Sequence, residues 1–123
     1  MRNILIKIII LTFFVTSIPT FAQQYPPYDT KLLRLAEILG SLHYLQNLCN
    51  TPTNQWYNHM TALIEAEKPT PQRRAYFYEA FNEAYRAFSA NYHHCTQSAI
   101  EANQRYVTEG RSLSENLLTR FNN

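Results

Sequence analysis

The stretch Asn91-Tyr92-His93-His94-Cys95-Thr96 places a cysteine directly behind two histidines. Three chemistries use such residues: a metal site, a reactive thiol, or one end of a disulfide. The other cysteine is Cys49. Helical metal sites project two ligands from one face, at i and i+3 or i+4. No His, Cys, Asp or Glu lies three or four residues from His43, His59, His93, His94, Cys49 or Cys95. A metal site would therefore have to be assembled from separate turns. Covalent haem needs Cys-x-x-Cys-His, which the chain lacks. No Ser, Thr or Cys has an identifiable base and orienting group beside it. The expectation is a protein that is not an enzyme, with no catalytic residues, no metal site and no cofactor.

The compartment decides what the two cysteines do. The chain of 123 residues opens with MRNILIKIIILTFFVTSIPTFAQQ. Arg2 and Lys7 give a positive start, an apolar run follows, and Thr20-Phe21-Ala22 supplies small residues for a peptidase. That pattern predicts a signal peptide over residues 1–22, cleaved after Ala22. The apolar run is shorter than the roughly 20 residues of a spanning helix, so no stable membrane insertion is expected after cleavage. The predicted location is the periplasm, where disulfides persist. Of the 11 Lys and Arg, two fall in the leader, and the remainder balance the 9 Asp and Glu. A neutral mature chain carries no electrostatic footprint for nucleic acid. Its length suits one small domain, in which a single crosslink matters.

The elements that would carry these residues read as helices. Residues 23–29, with Pro26 and Pro27, cannot be helical and predict an extended segment ending in Asp29 as an N-cap. Over residues 31–49, Leu32, Leu35, Ile38, Leu39, Leu42, Leu45 and Cys49 recur at three- and four-residue spacing, a wide apolar face. A second helix is expected over residues 55–68, with Trp56, Met60, Leu63, Ile64 and Glu67 on one side. Thr70 and Pro71 cap a third. From 72 to 109 there is no Gly or Pro, and one stripe runs from Phe77 through Phe81, Phe88, Tyr92 and Ala99 to Tyr106. A single helix there would leave its second half uncovered, so a turn over residues 93–97 is favoured, with Ser98 and Glu101 as a capping box. Gly110 breaks the pattern, and residues 112–121 could restart it as one short helix. The fold class is all-α: a small up-down helical bundle of three to four helices over residues 30–121, with one disulfide. The alternative is three helices with a very long last one.

In up-down-up order, Cys49 ends the first helix and Cys95 lies past the top of the third, so both reach one end of the bundle. Compartment and topology both favour a Cys49–Cys95 disulfide over a metal site.

Several residues are candidates for a binding surface. Tyr76 and Tyr78 are surplus to the aromatic stripe, and an exposed aromatic pair suits a partner or a glycan. Arg73 and Arg74 stand at a helix N-terminus and Glu65 and Glu67 at a helix C-terminus, each on the wrong side of its dipole. Pairing across the turn resolves both misfits; the functional alternative is an arginine site for an anionic ligand. His43 follows Leu32, Ala36 and Leu39 in line, as a half-buried histidine or, with His94 and nearby tyrosines, part of a cavity lining.

The segments YDTKLLRLAEILGSLHYLQNLC, AEKPTPQRRAYFYEAFNEAYRAF, YHHCT and RYVTEG, in this order and spacing, resemble a family of small exported alphaproteobacterial proteins known only as a domain of unknown function. The resemblance spans nearly the whole mature chain. It implies a periplasmic location and a paired Cys49 and Cys95, and supplies no activity, cofactor or catalytic residue. The functional expectation is a non-enzymatic binding or accessory protein of the cell envelope, with a protein or envelope partner and a homodimer left open. The alternative is a helical bundle that binds a small molecule or a metal.

Overall fold

The structure is a computed structural model that describes residues 25–121; the expected leader and residues 23–24 lie outside the described residues. Four helices follow one another: α1 Asp29–Cys49, α2 Gln55–Glu67, α3 Pro71–Asn91 and α4 Gln97–Phe121. No strand occurs among the described residues, and none of these helices is long and apolar enough to cross a membrane.

α1 is the hub. Leu32, Leu35, Ala36, Ile38, Leu42 and Leu45 are all buried, and so are Gly40 and Ser41. A helix apolar around most of its circumference must be covered on several sides. α3, α4 and α2 each pack against it, while α2 and α3 meet only narrowly and α4 approaches no helix backbone but that of α1. Two apolar clusters result. One joins Leu32, Leu35, Ala36 and Leu39 to Met60, Ile64, Phe77 and Phe81. The other joins Leu45 to Ala99 and Ala102, with Phe88, Tyr92 and Tyr106 packed against it. The chain does turn between α3 and α4, and the stripe from Ala99 to Tyr106 folds back onto α1.

Three local expectations are corrected. Asp29 is not an N-cap but the first residue of α1; residues 27–28 form a turn in which the Asp29 N–H donates to the Pro26 carbonyl at 3.0 Å. Its carboxylate is buried against Arg73 and lies in the first turn of α1, where negative charge suits the dipole. The cap of α4 is Thr96, whose Oγ1 accepts from the Ala99 N–H at 3.2 Å, in place of Ser98. Finally, Gly110 does not end a helix: α4 runs through it to Phe121. A Cβ there would stand 3.1 Å from Ile38 Cγ2, so the missing side chain lets α4 settle on α1.

Gly40 does the same for α3, more tightly. A Cβ on it would run into the Phe81 backbone, at 2.8 Å from the carbonyl carbon and closer still to the oxygen. The chain's two glycines therefore mark the two helix crossings. Gly40→Ala should gain about 1 kcal/mol of helix propensity but cost about 3 kcal/mol in overpacking. A net loss of about 2 kcal/mol in chemical denaturation is expected. Unchanged stability would mean the crossing is looser than the structure has it.

Candidate functional site

The residues singled out from the sequence fall in separate places. At one end, Arg73 is buried in the corner where α1, α2 and α3 meet. Its Nε donates to Asp29 Oδ2 at 2.8 Å, and its Nη2 donates to Asp29 Oδ1 and to Glu67 Oε2, the latter at 2.9 Å. Tyr28 donates its hydroxyl to the same Glu67 oxygen at 3.2 Å. The guanidinium also lies 5.1 Å from the Phe77 ring centroid. The hydrogen bond to Asp29 raises the Arg73 pKa further. Arg74 faces Glu65 at 3.7 Å. The pairing across the turn is present, and Asp29 is the third member that local sequence could not supply. Tyr76 is exposed and meets Tyr25 edge-on at 6.0 Å. Tyr78 is half-buried against the first apolar cluster.

His43, on α1, sits among rings. Phe81 and Tyr85 of α3 lie 5.7 and 5.5 Å from it and Tyr57 of α2 lies 6.3 Å away. Its Nδ1 is buried without a hydrogen-bond partner. Burial pushes its pKa below the ordinary value, so the fold holds the ring neutral where the unfolded chain takes a proton. As pH falls through the unfolded value of about 6.5, stability declines, and it levels off below the folded-state value. His43→Phe should abolish that component, measured as the difference in stability between variant and wild type from about pH 7.5 to 5. A difference independent of pH would refute it. His94 is exposed in the connection over 92–96, beside Cys95, which is bonded to Cys49 with the Cα atoms 4.9 Å apart. α3 climbs about 30 Å between Arg73 and this connection, so the structure does not bring His94 to the arginines.

An apolar concavity between two of the helices was not foreseen. α1, α2, α3 and α4 alternate in direction, so α2 and α4 run parallel on either side of α1. Because they do not pack on each other, a groove opens between them. Its floor is Leu32, Leu35, Ile38, Leu39 and Leu42 of α1. Trp56, His59 and Leu63 form the α2 wall, and Val107, Arg111 and Ser114 part of the α4 wall. Two cavities of about 370 and 340 Å³ adjoin along α1, with Leu35, Leu63 and Ser114 in both linings. The lower part continues to Tyr28, Leu117 and Leu118, and Leu118 is 63% exposed.

Polar groups are few and uneven along this channel. At the disulfide end, Trp56 and His59 have ring centroids 5.8 Å apart. Trp56 Nε1 is buried with no hydrogen-bond partner, a state that costs about 1–3 kcal/mol. Arg111 is exposed on the rim and has no ion-pair partner among the described residues. The Ser114 hydroxyl is already used, donating to the Gly110 carbonyl at 2.7 Å. At the other end the carboxylate of Glu67 is taken by Arg73 and Tyr28. Among the described residues, no group of three His, Cys, Asp or Glu could hold a metal ion. An apolar concavity with a few convergent polar groups has the character of a ligand site.

Residues 27–121 match the sequence model of a family described as a protein of unknown function (DUF2385). No curated protein matches, and no solved structure matches.

Proposed function

The chain belongs to the DUF2385 family, and on that premise we propose that it is an exported, non-enzymatic binding protein of the cell envelope whose binding site is the groove between α2 and α4. The observation that carries this reading is the groove itself: an apolar concavity on α1 between α2 and α4, walled by Trp56, His59 and Leu63 on one side and by Val107, Arg111 and Ser114 on the other. Export is supported by the leader pattern ending at Ala22. The absence of a catalytic constellation in the sequence supports binding over turnover. Metal binding is the weaker alternative, since it would require ligands from separate turns.

Native mass spectrometry of protein taken from the periplasm tests both parts. The expected mass begins at Gln23, intact or cyclised, and includes a bound species. That species should be lost in Ser114→Phe, which fills the middle of the channel, with the helical circular dichroism unchanged. A retained leader would overturn the export reading. A bare polypeptide, or a metal at near-unit occupancy indifferent to Ser114→Phe, would overturn the groove.

A further inference from the structure

We infer that the groove between α2 and α4 takes a single-chain anionic amphiphile, a free alkyl carboxylic acid, with its carboxylate at Arg111 and its tail running along the floor towards Leu117. This rests on the groove being the binding site, and adds the class of ligand.

The argument is one of shape and of charge. From Trp56 to Glu67 the α2 wall advances about 16 Å, and the parallel α4 wall keeps pace from Val107 to Leu118. A docked helix is about 10–12 Å across. Cavities of about 370 and 340 Å³ lie instead in the range of small-molecule sites, and a long channel of this width suits an extended alkyl chain. Charge sets the direction. No carboxylate lines the half near the disulfide, where the polar side chains on the walls are His59 and Arg111. The carboxylate of Glu67 stands at the opposite end. A carboxylate head therefore meets an unpaired cation at one end and, at the other, a carboxylate already engaged by Arg73 and Tyr28. A cationic head gains from neither end, since Glu67 is already held by Arg73. Arg111 binds a carboxylate in a bidentate geometry and lies on the rim, where the head stays partly hydrated.

The chain's one tryptophan is on the groove wall, so its fluorescence reports occupancy. The probes are octanoate, decanoate and laurate, below their micellar concentrations, with dodecanol and dodecyltrimethylammonium as controls, checked by calorimetry on the full mature chain. Each buried methylene should tighten binding about fourfold, so decanoate should exceed octanoate by roughly 15-fold. Arg111→Ala should weaken laurate by about tenfold or more, the loss of a charge-assisted bond, and leave dodecanol unchanged. Ser114→Phe should abolish binding of both while the thermal melt stays cooperative. Four results overturn the inference: no dependence on chain length, equal binding of dodecyltrimethylammonium, equal loss of dodecanol in Arg111→Ala, or binding to anionic phospholipid vesicles in place of free laurate. If the probes fail while protein from the periplasm still carries a species lost in Ser114→Phe, the ligand class is wrong and the groove remains the site. If that species is absent as well, both fall.

Discussion

Arg73→Met is expected to lower stability by about 3–5 kcal/mol, the usual cost of removing one partner of a buried ion pair. The Arg73 side chain is 9% exposed and that of Asp29 12%. Without the guanidinium, Asp29 is left as a buried carboxylate whose two oxygens both lose their donors. Glu67 suffers less, because it is 23% exposed and keeps the Tyr28 hydroxyl. A cation near the start of α3 is itself disfavoured by about 0.3–1 kcal/mol, so the variant recovers a little, not enough to change the sign. Replacing both members separates desolvation from attraction: Asp29→Leu with Arg73→Met should recover most of the loss, since an apolar pair of similar volume is often as stable as a buried salt bridge. The measurement is a double-mutant cycle by urea denaturation. Simple additivity would show that the two residues are not coupled, and a loss below about 1 kcal/mol would put the pair in the class of exposed ion pairs.

This triad shows where local reading stops. The misplaced charges of Arg73 and Glu67 are visible in a few residues around Pro69, because helix polarity makes both unfavourable alone. Asp29 is 44 residues away from Arg73, and nothing in its own neighbourhood marks it as a partner; alone it reads as a cap. The helices of the first three-quarters of the chain were legible because apolar spacing, Thr70-Pro71 and Pro69 all act within one or two turns. The turn after α3 was legible for a different reason: an apolar stripe through Ala99 and Ala102 had to be covered. Gly110 was misread because glycine punctuates a helix in isolation, whereas here it faces Ile38 across the α1–α4 crossing. The groove was invisible for the same kind of reason. It exists because α2 and α4 both dock on α1 and not on each other, a relation between elements that no periodicity records. Its one trace in the burial pattern is Leu118 of α4, left 63% exposed.

The second large effect concerns the crosslink between Cys49 and Cys95. Their sequence separation of 46 residues corresponds in the chain-entropy model to about 4 kcal/mol at 25 °C. Cys49 is half-buried and Cys95 exposed, so serine at either position leaves little else to lose. Cys49→Ser, Cys95→Ser and the double variant should therefore cost the same, about 4 kcal/mol, because each removes one and the same bond. The location of the damage is also determined. The backbone of α4 approaches that of α1 alone, Phe88 of α3 adds a ring contact to Tyr106 at 5.5 Å, and the disulfide pins the connection from which α4 starts. The Tyr44 hydroxyl, donating to the Tyr92 carbonyl, is a weaker tie at the same place. Hydrogen exchange in the variants should therefore rise first over residues 97–106, while the cluster around Phe77 and Phe81 stays protected. Since α4 is one wall of the groove, reduction should also weaken binding there before it unfolds the domain. Two outcomes would count against this: additive losses in the double variant, which would mean the thiols act separately, or uniform loss of protection, which would mean the crosslink does not act on α4 first.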